Sequence, residues 1–457
     1  VLIHALPAYR ERRAIGSLPD PPAGAPNVLL VILDTVRALS LSVHGYSRPT
    51  SPELAKVANQ GVRFLHAQSP APWTLPSHAS LFTGREAHQL PTDWYVPLDD
   101  RDLTLAEGLA ASGYLTAGFV ANLPYTNREV GLARGFQRYE DWPLSLGQLA
   151  ISSSLVRAIT SNDRLRRLLG NHELVVRKRA PDINQAFLAW LDRRQGAGRP
   201  FFAFLNYYDA HTPFVPPEPF RSRFAPAGAP FHPDLPRRTE DVAWDPELIQ
   251  GARNAYDGAI AYLDHHVGRL LAELERRGVL DRTLVIITSD HGEEFAEHGL
   301  FSHGNSLYLP ALHVPLVIRF PGRVPAGLTV PTPVSVRDLP ATVVELLELP
   351  TPPAFPGRSL VRLWKGDSTP DLIFTEVRHA PKLPAWYPST IGDLLGVQEG
   401  MLRLIRNGDG RLEVYDLAAD PEERHDLSGD PALAPRIARL AELAERARPS
   451  RAASSSQ

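Results

Sequence analysis

A short β-branched run that ends in ligand-type side chains constrains this chain most: Thr283-Leu284-Val285-Ile286-Ile287-Thr288, then Ser289-Asp290-His291-Gly292-Glu293-Glu294. Apolar residues at consecutive positions require cover on both faces, as in a strand inside a parallel sheet with helices on either side. The polar group that follows then falls at the carboxyl edge of the sheet, where open α/β folds keep their ligands. Adjacent Asp290 and His291 offer one hard oxygen and one imidazole nitrogen, a pair suited to Zn²⁺ or Mn²⁺. A capping aspartate followed by solvated histidines, His298 and His303 among them, is the competing reading. This stretch alone does not separate the two.

Other stretches repeat the design. Residues 27–33, Asn-Val-Leu-Leu-Val-Ile-Leu, form a second buried run that ends in Asp34, which places Asp34 at the same sheet edge as Asp290. Residues 115–121 lead to Asn122, either a turn former or a donor to a substrate oxygen. Residues 201–208 lead through Asp209 to His211. Helices are predicted over 51–60, with Ser51 as N-cap and Pro52 at the first position, and over 104–113, 182–194, 246–278 and 336–347. Between them lies Pro70-Ala71-Pro72-Trp73-Thr74-Leu75-Pro76-Ser77-His78, with Gly84 as the stop of a short helix that begins near Thr74. Thr74 is then a capping residue or a nucleophile. The positive end of a helix favours an alkoxide and a bound oxyanion, but a threonine hydroxyl needs a base or a metal to act near neutral pH.

Composition sets the remaining bounds. At 457 residues the chain fits one large α/β domain with a smaller appendage. A net charge of −3 gives no field for nucleic acid or an anionic membrane surface. Cysteine is absent, which removes disulfides, thiolate-bound zinc and a thiol nucleophile. No run approaches the roughly 20 apolar residues of a bilayer span. The first residue is Val1 and the single methionine is Met401, so an upstream start, with whatever leader or anchor it carried, is expected.

The expected domains are a lead-in and stiff Pro-rich linker over 1–26, a catalytic α/β domain over 27–350, a C-terminal α+β subdomain over 351–448 and a disordered tail over 449–457. The subdomain is expected to hold a small antiparallel sheet, from strands near 371–377, 395–406 and 411–417. A last helix, capped by Asp430 with Pro431 at its first position, follows.

Asp34-Thr35-Val36-Arg37, His44-Gly45-Tyr46, the 74–84 stretch and Ser289-Asp290-His291-Gly292 together resemble the sulfatase-like branch of the alkaline phosphatase superfamily, in that family's order, over roughly residues 27–430. Tyr256-Asp257-Gly258, Asp264 and Tyr415-Asp416-Leu417 fit the same pattern. The resemblance implies a large mixed, mostly parallel β-sheet sandwiched between helices, with one divalent metal at its carboxyl edge held by Asp34, Asp290, His291 and Thr74. Zn or Mn is expected, with Ca or Mg as alternatives; a second ion near Asp209, His211 and His303 is the other arrangement considered. It also implies an extracytoplasmic or periplasmic location.

One departure is informative. Sulfatases carry Cys or Ser in Cys/Ser-x-Pro-x-Arg and convert it to formylglycine; here Thr74-Leu75-Pro76-Ser77-His78 stands instead, and threonine cannot become an aldehyde hydrate. Threonine resembles the nucleophile of phosphodiesterases and phosphoethanolamine transferases. Thr35 replaces the second acid of a common Asp-Asp pair, and His303 stands where a lysine is usual.

The expected activity is therefore hydrolysis of phosphate diesters or phosphonate monoesters through a phospho-threonine on Thr74. His211 and His303 would bind the transferred group and protonate the leaving oxygen, and His78 and Asn122 would contact substrate. A sulfate-ester hydrolase or a phosphoryl transferase on the same scaffold is the alternative; a non-catalytic module with a decayed site is the third. The natural substrate, a small ester, is expected to be set by the excursions at 131–180 and 214–245.

Overall fold

Strands that are buried at every position organise the molecule. A computed structural model describes residues 11–94, 96–141, 177–194, 198–235, 245–350 and 352–448. Its strands, in chain order, are β1 (Asn27–Leu33), β2 (Val62–Gln68), β3 (Leu115–Val120), β4 (Arg138–Glu140), β5 (Phe201–Tyr207), β6 (Thr283–Thr288), the short β7 (Glu294–Phe295) and β8 (Phe301–Ser302), then β9 (His313–Arg319), β10 (Leu328–Val330) and β11 (Val334–Ser335). The main sheet runs β10-β2-β9-β6-β1-β5-β3-β4, and β11 pairs with β2. From β6 to β4 all neighbours are parallel. β9 alone runs antiparallel to both its partners.

Alternation along the strands feeds two separate cores. Leu29, Val31 and Leu33 of β1 face one helix layer, α4 (Ala180–Arg194) and α5 (Pro246–Arg276), through Phe187, Trp190, Leu263 and Leu270. Val28, Leu30 and Ile32 face the other, α2 (Thr74–Thr83), α3 (Leu105–Ala111) and α6 (Leu339–Leu347), through Leu81, Phe82, Leu109 and Val343. Only a sheet covered on both faces reads as a continuous apolar run, so the sandwich predicted from 283–288 is the one observed. Among the described residues no helix is long and apolar enough to cross a membrane.

Two helix starts differ from the sequence reading. α1 (Pro52–Asn59) begins after Ser51 as expected, but the Ser51 hydroxyl bonds to Val43 N and Ser42 Oγ and does not cap the helix. The cap comes from α5, where the buried Asp264 carboxylate accepts from Glu53 N and Leu54 N, both at 2.8 Å. The last helix, α7 (Ala434–Arg446), starts after Leu433, because Asp430 instead closes a tight turn by accepting from Ala432 N at 2.8 Å. The lead-in is also packed: Glu11 is buried and accepts from the Trp190 indole at 2.9 Å.

A second sheet follows, β12 (Leu372–Val377), β13 (Leu394–Glu399), β14 (Leu402–Arg406) and β15 (Leu412–Asp416), antiparallel throughout. One face packs under α7 through Leu404, Val414 and Leu440. The other meets Leu307, Leu309 and Leu312 of the main domain. A buried ion pair fixes this junction: Glu423 accepts from Leu309 N at 2.7 Å, Arg403 donates to the Leu307 carbonyl, and the two side chains lie 3.5 Å apart. The segment after His303 is thereby tied to the second sheet. Residues 142–176, within the first excursion named above, residues 236–244, within the second, and the 449–457 tail lie outside the described residues.

Asp264→Ala is expected to cost about 1–3 kcal/mol, because two backbone donors lose their buried acceptor. Asp264→Asn keeps one acceptor oxygen and should lose less. The midpoint of urea unfolding reads both; an unchanged midpoint for the alanine variant would show that α1 does not depend on this cap.

Candidate active site

Four adjacent parallel strands deliver their polar ends to one edge. Asp34 follows β1, Asp290 follows β6, Asn122 follows β3, and Asp209 to His211 follow β5. Asp34, Asp290 and His291 are all fully buried, and their ligand-type atoms lie within 4.8 Å of one another. Asp34 Oδ2 is held by Asn122 Nδ2 at 2.8 Å and Asn206 Nδ2 at 3.3 Å, and Asp290 Oδ1 accepts from Thr35 N at 3.2 Å. The second oxygen of each carboxylate, Asp34 Oδ1 and Asp290 Oδ2, is buried with no hydrogen-bond partner.

Burial raises both acids above the usual carboxylate range, and for Asp34 the charge of Asp290 adds to it. Two such oxygens beside a bare imidazole nitrogen call for a cation, since an unpaired buried charge is otherwise costly. The donor set fits a divalent metal.

Thr35 explains how the two acids are kept in register. Its φ of 61° is a strained region for a β-branched residue. Three contacts impose it: its amide donates to Asp290, its hydroxyl donates to Ala210 O at 2.9 Å, and its carbonyl accepts from Tyr256 OH at 2.7 Å. Where the resemblance in the sequence leads one to expect a second acid, this chain therefore has a brace between β1, β5, β6 and α5.

Thr74 opens α2, and no side chain caps that helix start. Its Oγ1 lies 3.3 Å from His291 Nε2 and 3.4 Å from Asn122 Nδ2. Asn122 also caps the next turn, with Oδ1 accepting from Tyr125 N at 3.2 Å. The turn role weighed for it in the sequence is thus present, while its amide nitrogen reaches Asp34 and Thr74. His78, one turn along α2, is fully buried against Phe82 and Phe204. Its Nδ1 lies 2.8 Å from Thr74 O and 3.6 Å from Asp290 Oδ2, which puts it beneath the candidate nucleophile.

The histidines share one tautomer. A carbonyl oxygen only accepts, so Nδ1 carries the proton in His78 (to Thr74 O), in His211 (to Thr212 O, 2.8 Å) and in His291 (to Gly292 O, 3.0 Å). His303 Nδ1 lies 2.9 Å from the buried Glu293 carboxylate. In His211, His291 and His303 Nε2 is left for the site, whereas in His78 it is buried without a partner. Charge separates them. Burial, then repulsion from His303, holds His211 and His291 well below the ordinary imidazole value. Burial pushes His303 the same way, but Glu293, with Asp34 and Asp290 beyond it, outweighs that and raises it. The His303 ring lies 4.3 Å from that of His291 and 5.1 Å from that of His211.

Sequence reasoning missed three of these residues. Glu293 stood in plain view in Asp-His-Gly-Glu-Glu, but nothing local tied it to a histidine ten positions on. Asn206 sits inside a strand and was read as part of it. Arg177, at the end of an excursion, donates to the carbonyls of Pro213, Tyr208 and His211 and so fixes the loop that carries His211. Asp209 faces Arg177 and the start of α4. Among the described residues, Asp34, Asp290 and His291 are the group whose geometry could hold a metal, and Asp209, His211 and His303 do not form a second.

Comparisons with known proteins agree with this geometry. The family model described as Sulfatase matches residues 26–349, and the model for the C-terminal region of N-sulphoglucosamine sulphohydrolase matches 296–449. Arylsulfatase K of Rattus norvegicus is 27% identical over 88% of this chain and 74% of its own length. The multifunctional alkaline phosphatase superfamily protein PehA of Trinickia caryophylli is 25% identical over 89% and 92%. The crystal structure of phosphonate monoester hydrolase from Agrobacterium radiobacter superposes with a TM-score of 0.72 at 24% identity, covering 92% of this chain and 95% of that one. A mixed, mostly parallel sheet, a buried Asp-Asp-His group at its carboxyl edge and a family match over most of the chain lead to one assignment: the protein belongs to the sulfatase family of the alkaline phosphatase superfamily.

Proposed function

We propose that this chain hydrolyses a monoanionic ester, with sulfate monoesters as the leading class, by covalent attack of the unmodified Thr74 hydroxyl. The observation that carries the reading is the Thr74 Oγ1 atom 3.3 Å from His291 Nε2, at an uncapped helix start beside Asp34 and Asp290. Sulfate leads because relatives matched over 73–89% of this chain are named arylsulfatase or sulfatase, which corrects the order expected from the sequence, where phosphate diesters came first. A second reading, a phosphonate monoester or phosphate diester, is favoured by Thr74 itself. A threonine adduct must be cleared by water at sulfur or phosphorus, because no aldehyde hydrate is there to expel the group. A phosphoryl transferase needs an acceptor in place of that water. The intact set Asp34, Thr74, Asp290 and His291 speaks against a non-catalytic module.

A divalent cation held by Asp34, Asp290 and His291 would supply the Lewis acidity that brings an alcohol toward ionisation at neutral pH; the oxygen-rich set with one nitrogen suits Zn²⁺ or Mn²⁺ better than Ca²⁺ or Mg²⁺. The chain's own groups do the rest. Asn122 Nδ2 steadies the attacking oxygen, and the positive end of α2 favours charge there. His211 Nε2 is a bare acceptor in this tautomer and holds an oxygen of the transferred group only once it takes up a proton. His303, kept cationic by Glu293, gives its Nε2 proton to the leaving oxygen, and as neutral imidazole takes one from the water that clears the adduct. Three carboxylates, one imidazolium and one bound dication sum to zero, so a substrate with a second negative charge meets no surplus positive charge.

Thr74→Ala should lower kcat by roughly 10³-fold or more while leaving thermal unfolding unchanged; retained turnover would remove the covalent scheme. Elemental analysis of the purified protein should give about one divalent ion per chain, lost in Asp290→Asn together with activity; a metal-free active protein would contradict the assignment of that cluster. In side-by-side rates on 4-nitrophenyl sulfate, bis(4-nitrophenyl) phosphate, the 4-nitrophenyl ester of phenylphosphonate and 4-nitrophenyl phosphate, the three monoanions should each exceed the dianion by roughly a hundredfold. Preference for the dianion would sink the charge argument.

A further inference from the structure

The helix that carries Thr74 ends in a second recess, about 15 Å away at 1.5 Å per residue. α2 stops at Gly84, and Arg85, Glu86 and His88 follow it along one wall of a cavity of about 410 Å³. Arg337 and the Pro356–Gly357 bend form a second wall. Phe374 of β12, with Leu443 and Arg446 of α7, forms the third. Close approaches that need glycine lock these walls together. Gly84, at a φ of +72°, lies so near Pro356 that a Cβ would come within 2.5 Å of its carbonyl oxygen. Gly357, at a φ of +104°, leaves a Cβ only 2.6 Å from Asp338 Oδ1. Arg337 Nη1 donates to Gly84 O at 2.8 Å and so covers the negative end of α2.

The charge on these walls is mostly positive. Arg85 gives Nε to Asp102 at 2.7 Å, and Arg446 gives Nη2 to Glu442 at 2.5 Å. Among the described residues no other hydrogen bond engages either guanidinium, so each keeps donors unspent. Asp102 and Glu442 themselves stand outside the lining. Glu86 is the acid within it, 2.8 Å from Arg337 Nε through Oε1, while its Oε2 is buried with no partner. Burial, opposed by Arg337, pushes that carboxyl up to about 7, so near neutral pH it offsets at most one of three cations. His88 is held down to about 4 by burial and then by Arg337 and Arg378. Its neutral ring meets Phe374 edge-on at 5.5 Å and offers one N–H donor.

We propose that this recess is a binding site for a tetrahedral oxyanion, a phosphate or sulfate group that is either free or carried on an organic body. Planar guanidinium forks match such oxygens two at a time. Three of them reach one cavity from separate segments: the end of α2, the turn before α6 and the last turn of α7. A solvated basic face would not converge in this way on a recess with a buried, unpartnered carboxylate oxygen in its wall. Phe374 and Leu443 leave an apolar side on which an organic body would lie. The inference is independent of the hydrolase reading, since the recess shares no residue with Asp34, Thr74, Asp290 and His291. An anion there would tie α7 of the second sheet to the far end of the helix that carries Thr74.

Isothermal titration tests the site, on the full chain carrying Thr74→Ala so that no ester is consumed, with inorganic sulfate, inorganic phosphate and glucose 6-phosphate at fixed ionic strength. Adding Arg446→Ala or Arg85→Gln should raise Kd by about tenfold. Arg439→Ala removes the same charge from α7 at a position bonded to Glu399 and outside the recess, and should leave Kd unchanged. An anion held at the active site binds equally in all of these proteins and forms a constant background. Glucose 6-phosphate bound at least tenfold more tightly than both inorganic ions identifies a carried group, and equal affinity identifies the free ion. Kd unchanged in both lining variants for all three anions overturns the site, as does an equal rise in Arg439→Ala. Unfolding midpoints in anion-free buffer separate loss of the site from loss of the fold. If Arg85→Gln alone lowers the midpoint, the exposed Arg446 decides the question.

Discussion

Two buried carboxylates at the ends of neighbouring strands are the constraint on which the rest depends. Asp34 and Asp290 each keep one oxygen free of hydrogen bonds inside the protein, a costly arrangement in the absence of a counter-charge. The fold tolerates it by fixing everything around it. Thr35 is held in a strained conformation between the two acids, Asn122 and Asn206 grip Asp34, and Ser77 Oγ donates to Asp290 O at 2.6 Å from within α2. Strain and unpaired charge at one point are the mark of a site whose geometry is set in advance of its ligand.

Around that centre burial holds three histidines below the ordinary imidazole value, while carboxylates raise the fourth. Backbone carbonyls fix the Nδ1–H tautomer of His78, His211 and His291, whereas the buried Glu293 carboxylate faces Nδ1 of His303. One residue type thus supplies a candidate metal ligand, a wall beneath the candidate nucleophile and a candidate acid. The difference lies in the groups behind the rings. Where the resemblance in the sequence leads one to expect a lysine, Glu293 thus favours a positive charge on His303.

The second sheet is part of this arrangement. The Arg403–Glu423 pair is almost fully buried and bonds to the backbone at Leu307 and Leu309, a few residues beyond His303. The Tyr308 ring, which stacks on His298 at 3.7 Å, is anchored to Glu413 of β15. The loop that carries His303 is therefore braced from a different sheet, and Trp94, stacked on Trp73 just before α2, donates to Arg378 O of the same body.

The sequence by itself determined the sheet and its ligand edge. Runs such as 27–33 and 283–288 are apolar at every position, and only strands covered on both faces are stable in that form. The acid at the end of each run marks the edge, and the spacing of Thr74 from Gly84 gave the short helix that carries the candidate nucleophile. Strand order was beyond it, because β1 finds its partners β5 and β6 across some 170 and 250 residues, and no local preference encodes such a pairing. For the same reason Asp264 as the cap of α1, Glu293 as the partner of His303 and Arg177 behind His211 emerged only in three dimensions. Each joins side chains distant in sequence, and a hydrogen bond or a stacked ring exists only once the sheet has brought its two ends together.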